Sequence, residues 1–152
     1  MQTFLPYPSF SDSAKVLDRQ RLGKQRVENM QIIKALLDPD YGWQNHPAVK
    51  MWRGHVNALY LYQQCIVNEW TGRGYKDTCL TKTYELIKSY DAYADPFSFL
   101  LAHNVKNPYY PIWIGDPDFH RSHQSNLLRK DFDYYSQFFR GVPDNLEYVW
   151  PV

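Results

Sequence analysis

Apolar residues recur with helical spacing along most of the chain, and prolines and glycines separate the periodic stretches. Pro6 and Pro8 favour an extended start, because proline fixes its own φ and disfavours helix in the preceding residue. The spacing predicts a first helix over about residues 11–37, ending before a proline. A second helix is predicted over residues 47–71, with proline at its first position and glycine after its end.

The second half of the chain continues the same pattern. A third helix is predicted over residues 80–94 and a short one over 97–104, followed by a loop over 105–115. Asp116-Pro117 has the cap-and-proline signature of a helix that reaches about Lys130, and a last helix is predicted over 132–139. No segment shows sustained period-2 alternation, so the pattern predicts a mainly α fold. We expect residues 1–152 to form one compact helical bundle with long loops.

Composition narrows the class of protein. A length of 152 residues suits one domain, and an aromatic share of 17% is too high for a disordered chain. Two cysteines cannot build a disulfide scaffold or a four-cysteine zinc site. No apolar run approaches the roughly 20 residues of a membrane span, and the N-terminus lacks the features of a signal peptide. The composition predicts a soluble cytoplasmic protein with no membrane association, no cofactor and no evident obligate protein partner.

The net charge of +1 conceals a local excess of basic residues. Residues 15–34 hold six lysines and arginines against two acidic residues, and nucleic-acid binding requires only such a local basic surface. At 100° per residue, Arg19 and Arg26 lie within about 60° of Leu22 on the apolar stripe of the first helix. Their stems could pack there with the charges in water, or their guanidinium groups could bind phosphate. Three further charged residues lie on the far face: Arg21, Lys24 and Glu28.

Two other clusters carry candidate chemistry. On the second helix, His55 lies among apolar residues, which is more typical of a hydrogen-bonded core histidine; Glu69 can pair with Arg73 or orient the arginines of the first helix. His120 and His123 share one face of a later helix, yet no third ligand has metal spacing, so no metal site is predicted. Together with Arg129 and Lys130, these histidines are suited to contacting phosphate groups. Alternatively, they could serve as the reactive residues of a nucleotide-processing enzyme. The chain contains no GxGxxG, no phosphate-binding GK[ST] loop and no GxSxG.

Two stretches resemble a known family. Residues 17–28 (LDRQRLGKQRVE) resemble the N-terminal helix of pyrimidine-dimer DNA glycosylases of the phage endonuclease V type. Gly54-His55-Val56, followed by Glu69 and Arg73-Gly74-Tyr75, resembles the second helix of that family and its exit. The resemblance covers about residues 1–78, and the ending Tyr148-Val149-Trp150-Pro151 looks like a bacterial and phage subgroup.

This resemblance implies a helical domain that flips a nucleotide and attacks the sugar C1′ with its N-terminal α-amine. A Schiff base then forms, β-elimination cleaves the strand, and a glutamate of the first helix is essential. The chemistry is sound, since α-amines titrate near pH 8 and a carboxylate can move protons. Where the family has Arg-Glu, this chain has Arg26-Val27. Glu28 is therefore the first candidate for the catalytic carboxylate, and Glu69 is the second. Because Gln2 is large, we expect Met1 to be retained and to carry the amine.

The sequence therefore predicts a DNA glycosylase with associated AP-lyase activity on damaged or modified bases. The alternatives are a non-catalytic nucleic-acid-binding module of the same fold and a nucleotide-processing enzyme that uses His120 and His123. DNA is the expected partner. The predicted catalytic residues are Met1, Arg26, Glu28 and Glu69, and the predicted DNA-binding residues are Arg19, Arg21, Lys24, Arg53, His55, His120, His123, Arg129 and Lys130.

Overall fold

The structure, a computed structural model, describes residues 1–90 and 110–152. Within these ranges all regular secondary structure is helical, which confirms the predicted mainly α fold. None of the helices in the described ranges combines the length and apolar character needed to cross a membrane. The helices are α1 (Phe10–Val16), α2 (Arg19–Leu37), α3 (Pro47–Lys50), α4 (Val56–Gly72), α5 (Cys79–Ser89), α6 (Pro117–Lys130) and α7 (Phe132–Tyr135).

The predicted first helix is two helices, so the expectation of one continuous helix was wrong. Leu17 adopts an extended conformation, and Asp18 starts α2 by accepting a hydrogen bond from the backbone N–H of Gln20 at 3.2 Å. The Tyr135 hydroxyl accepts from the Asp18 backbone N–H at 3.0 Å and donates to the Asp18 carboxylate. A distant tyrosine thus stabilises a break that helical periodicity does not reveal.

The predicted second helix is also divided. α3 ends at Lys50, and Gly54 in the turn has a φ of 79°, in the left-handed region that favours glycine. α4 then begins at Val56. The predicted helix over 117–130 is confirmed, with Asp116 as its N-cap, whereas the helix predicted over 132–139 ends at Tyr135. α5 ends at Ser89, and the predicted helix over 97–104 and loop residues 105–109 lie outside the described residues.

α2 lies at the centre of the packing. It contacts α3, α4 and α5, while α1 packs on α4 and α6 packs against α7. The four largest fully buried side chains among the described residues are all aromatic: Trp52, Tyr62, Phe119 and Tyr135. The α2 face that enters the interior also carries polar groups, namely Gln25, Glu28 and Asn29.

Residues 1–9, the N-terminal arm, run through this interior without regular secondary structure. Buried side chains bond the arm's backbone. Gln25 accepts from the Phe4 N–H at 2.9 Å and donates to the Gln2 carbonyl at 2.7 Å. The Tyr62 hydroxyl donates to the Phe4 carbonyl. Because buried backbone groups must find partners, these side chains replace the neighbouring strand that an extended segment otherwise needs.

Residues 140–152, the C-terminal tail, run along α6. The Leu146 N–H donates to Ser125 Oγ at 2.9 Å, and the Val149 N–H donates to Ser122 Oγ at 3.1 Å. Arg129 of α6 donates to the Asp144 and Leu146 carbonyls, each at 2.7 Å. The tail therefore returns to the N-terminal arm and places its last aromatic residues beside it.

Candidate active site at the N-terminus

The first residue of the chain lies in a cavity of about 350 Å³. The cavity is bounded by the N-terminal arm, one face of α2, the residue that caps α3, the end of α6 and the C-terminal tail. Its lining residues fall into four groups: the reactive groups Met1, Glu28 and His46, the cations Arg21, Lys24 and Lys130, the aromatics Phe4, Tyr148 and Trp150, and the amides Gln2 and Gln20.

The α-amine of Met1 forms an ion pair with Glu28. The amine nitrogen lies 3.8 Å from Glu28 Oε1, and the two side chains are 5% and 10% exposed. Glu28 is buried because the N-terminal arm covers the α2 face that helical periodicity predicted to face solvent. Lys24 Nζ approaches the same Oε1 at 3.6 Å, but its side chain is 71% exposed. The Glu28 carboxylate thus lies near two amines, the buried Met1 α-amine and the solvent-exposed Lys24 side chain.

His46 is a reactive group that the sequence prediction missed. It caps α3, and its Nδ1 accepts a hydrogen bond from the Ala48 backbone N–H at 3.0 Å. Burial and the positive charge of the Met1 α-amine lower the pKa of His46, with Glu28 acting in the opposite direction. The imidazole is therefore held neutral beside the amine. His46-Pro47 repeats the cap-before-proline pattern of Asp116-Pro117, which was the available signal for its position but not for its chemistry.

The C-terminal tail closes one side of the cavity. The Trp150 ring meets His46 edge-on at 6.1 Å between centroids, and the Tyr148 ring packs 6.4 Å from Phe4. Burial raises the pKa of Tyr148 to about 12; Gln2 and Arg129 act to lower it and Glu28 to raise it. The phenol is therefore a neutral hydrogen-bond donor at physiological pH.

Three cations give the cavity a basic rim. Lys130 lies 5.8 Å above the Phe4 ring, and Arg21 pairs with Asp18 at 3.3 Å and reaches the Lys130 carbonyl at 3.5 Å. Lys24, which pairs with Glu28, extends into solvent. Such a rim suits an anionic substrate, because phosphate contacts depend on clustered lysine and arginine side chains.

The model of the family described as pyrimidine dimer DNA glycosylase matches residues 1–83, more than half of the chain. The chain belongs to this family. Comparison with curated proteins and with solved structures finds no match. The matched region contains Met1, Glu28 and His46, whereas Lys130, Tyr148 and Trp150 lie beyond it.

Arg26 lies outside the cavity lining and already has partners. Its Nη1 is 2.5 Å from Asp77 Oδ1, and its guanidinium lies 4.2 Å above the Trp70 ring. Arg19 lies 5.0 Å above Tyr75, which packs on Trp70. The guanidinium groups of the two arginines thus fasten the α4–α5 connection to α2. Phosphate binding by either arginine stays a prediction.

Four more of the predicted site residues also lie outside the cavity lining. Glu69 pairs with Arg73 at 2.9 Å, as one of the two interpretations predicted. Arg53 donates to the Gln44 carbonyl at 2.8 Å, and Arg129 holds the C-terminal tail. His55 occupies the N-cap position of α4, and its buried Nδ1 has no hydrogen-bond partner among the described residues.

His120 and His123 hold the N-terminal arm. The Leu5 N–H donates to His123 Nδ1 at 3.0 Å. His120 Nε2 accepts from the Gly115 N–H at 2.9 Å, so its Nδ1 carries the proton and donates to the Leu5 carbonyl at 2.7 Å. Burial, with a smaller contribution from His120, lowers the pKa of His123 to about 3. The described residues hold no cluster of three potential metal ligands.

Proposed function

We propose that this protein is a DNA glycosylase with associated AP-lyase activity, in which the Met1 α-amine forms a Schiff base with the sugar. The observation that carries the proposal is the buried Met1–Glu28 pair inside a cavity with a basic rim. Membership of the pyrimidine dimer DNA glycosylase family supports DNA as the substrate. The arm that holds Met1 is bonded by side chains from α2, α4 and α6, which fixes the amine before substrate arrives.

In the first step the Met1 ammonium, which is paired with Glu28, loses one proton to solvent. The lone pair of the neutral nitrogen then forms a bond to C1′ of the damaged nucleotide. The bond between C1′ and the base breaks, and the base leaves with the electron pair. Glu28 accepts the proton that the attacking nitrogen loses. A carboxylate 3.8 Å from the amine needs only a small adjustment to reach hydrogen-bond distance.

In the second step the sugar ring opens: the C1′–O4′ bond breaks as the nitrogen forms an iminium ion with C1′, and O4′ takes the proton that Glu28 holds. Glu28, ionised again, then accepts a C2′ proton, and the 3′ phosphate leaves with the electron pair of its C3′–O bond, which cleaves the strand by β-elimination. Water finally hydrolyses the imine and frees the amine. On an abasic site the same amine condenses with the C1′ aldehyde, so only the base-release step is absent.

Borohydride trapping tests the proposal, because it reduces the iminium ion to a stable amine. We expect a covalent protein–DNA adduct when the protein, confirmed by mass to carry a free Met1 amine, meets a duplex with one abasic site. A protein with one glycine inserted before Met1 is the matched control. Its amine is displaced by up to about 3.8 Å, and we expect little adduct. DNA binding without any adduct would instead identify a non-catalytic binding module.

A further inference from the structure

His46 has one ring nitrogen in a hydrogen bond and one that has no hydrogen-bond partner among residues 1–90 and 110–152. Nδ1 accepts from the Ala48 N–H at 3.0 Å, so the neutral ring carries its proton on Nε2. No described residue forms a hydrogen bond with Nε2. His46 lines the cavity together with Met1 and Glu28. The ring therefore offers a hydrogen-bond donor to whatever occupies the cavity.

The surrounding structure fixes this ring in place. The His46 N–H donates to the Trp43 carbonyl at 2.9 Å, and its ring meets Trp43 and Trp150 edge-on. Gln44 anchors the preceding loop by donating to the Ala35 and Asp38 carbonyls at 2.7 and 2.8 Å. A donor on such a fixed support requires little reorganisation when a substrate binds.

The neutral state of His46 is built into the site. A second proton on Nδ1 would remove the acceptor of the Ala48 N–H and place two donors face to face. It would also add a positive charge near the Met1 α-amine, in a cavity whose lining among the described residues holds one carboxylate, Glu28. Burial and the α-amine lower the pKa of His46 in agreement with this geometry.

We propose that His46 is a further catalytic residue, whose neutral imidazole donates its Nε2–H to a carbonyl oxygen of the departing base. The inference rests on the proposed function. When Met1 attacks C1′ and the C1′–base bond breaks, the electron pair moves onto the base and its carbonyl oxygen gains negative charge. His46 stabilises that charge through a hydrogen bond and keeps its proton, and the base anion later takes a proton from water. A neutral imidazole held by a hydrogen bond to its other nitrogen is suited to this electrophilic role.

Two DNA substrates separate this role from a structural one. One duplex carries a single cyclobutane thymine dimer, from which a base must depart, and the other carries a single abasic site, from which none departs. Single-turnover rates of borohydride-trapped adduct are measured with enzyme in excess. For His46→Asn, whose side-chain oxygen can still cap α3, we expect a loss of about 100- to 1,000-fold on the dimer and a near-normal rate on the abasic site. His46→Gln, whose longer amide offers a donor nearer the position of Nε2, should lie between wild type and His46→Asn on the dimer.

Other outcomes overturn the inference. Equal losses on both substrates would show that His46 only supports the structure, and an unchanged rate on the dimer would show that it does not contact the base. If His46→Gln reacted with the dimer no faster than His46→Asn, the result would contradict a role for Nε2–H as a hydrogen-bond donor. If the wild-type protein reacted with the abasic duplex but not with the dimer, it would not release a base. The role of His46 would then fail, while Schiff-base formation by Met1 would stand. If the wild-type protein forms no adduct with either duplex, the proposed function itself fails.

Discussion

Glu28 is the residue on which the proposed chemistry depends most. It lies 3.8 Å from the Met1 α-amine and 3.6 Å from Lys24 Nζ, and is itself nearly buried. A carboxylate in this position can take a proton from the attacking amine and stabilise the positive charge of the iminium ion. A glutamine of the same shape can do neither.

We therefore expect Glu28→Gln to slow adduct formation on an abasic duplex by about 100- to 10,000-fold, the usual contribution of a general acid–base group. The measurement is a single-turnover trapping rate at saturating enzyme. Glu85→Gln, which makes the same substitution at an exposed position of α5, serves as the control and should react like wild type. Similar rates for Glu28→Gln and wild type would remove Glu28 from the mechanism.

The ion pair of Arg26 and Asp77 contributes to stability at the residue scale. Burial acts to raise the pKa of Asp77, but hydrogen bonds from the Leu80 N–H and Arg26 outweigh it, so the pKa is lowered overall. Asp77→Asn leaves a partly buried guanidinium without its counter-ion, and we expect the free energy of unfolding to fall by about 3 kcal/mol, the low end for breaking a buried pair. Urea denaturation checks this value.

Glu69→Gln provides the comparison, because it breaks a more exposed pair with Arg73. Such pairs contribute about 0–1 kcal/mol. If both substitutions lowered the free energy of unfolding equally, Arg26 would not be acting as a buried structural cation, and its predicted role at DNA phosphate would gain support.

At the scale of elements, the N-terminal arm is the feature that builds the site. It binds α2 through Gln25 and α6 through the two histidines that bracket Leu5. The folded state keeps His123 neutral with a pKa of about 3, against 6.5 as the ordinary value. Between these values the unfolded chain binds one more proton than the folded chain, so acid favours unfolding.

The free energy of unfolding should therefore rise with pH between about 3 and 6.5, by up to roughly 1.4 kcal/mol per pH unit from His123 alone. In His123→Asn that contribution disappears, although His120 and His46, whose pKa values are also lowered, still contribute. Urea denaturation from pH 4 to 8 measures the slope. The wild-type and variant curves should run parallel above pH 7 and converge as pH falls; identical slopes throughout would contradict the linkage.

Local signals in the sequence predict the helices better than they predict the site. The Asp116-Pro117 cap correctly marks the start of α6, and Gly72 correctly marks the end of α4. Both signals are local, because capping acts within one turn of the helix. The break at Asp18 depends on Tyr135, more than a hundred residues away, and no periodicity reports it. Glu28 is buried only because residues 1–9 cover it, so its position on the polar face of the isolated helix was misleading.

The site itself is assembled from separate parts of the chain. Met1, Glu28, His46, Lys130 and Tyr148 meet only after the arm and the tail have packed. The resemblance to the family pointed to Met1 and Glu28, while nothing in its motif indicated His46. The candidate histidines chosen for their spacing, His120 and His123, hold the backbone that positions Met1. A contact of either histidine with DNA stays a prediction.

At the scale of the whole molecule, a net charge of +1 is compatible with DNA binding because the cations are clustered. If Lys24 and Lys130 each neutralise one phosphate, changing either to glutamine should reduce the slope of log affinity against log salt concentration by about 0.9. Affinity for a duplex measured at several salt concentrations gives this slope. Lys88→Gln, on an exposed position of α5, should leave it unchanged, and equal effects at all three positions would argue against binding at the cavity rim.

The central claim is that the Met1 α-nitrogen, and no lysine, bonds to the sugar. Mass-spectrometric sequencing of the peptides from a borohydride-trapped adduct locates the attachment most directly. We predict that the deoxyribose remnant is attached to the N-terminal nitrogen of Met1. Attachment to Lys24, the other amine beside Glu28, or to any other lysine would contradict the account.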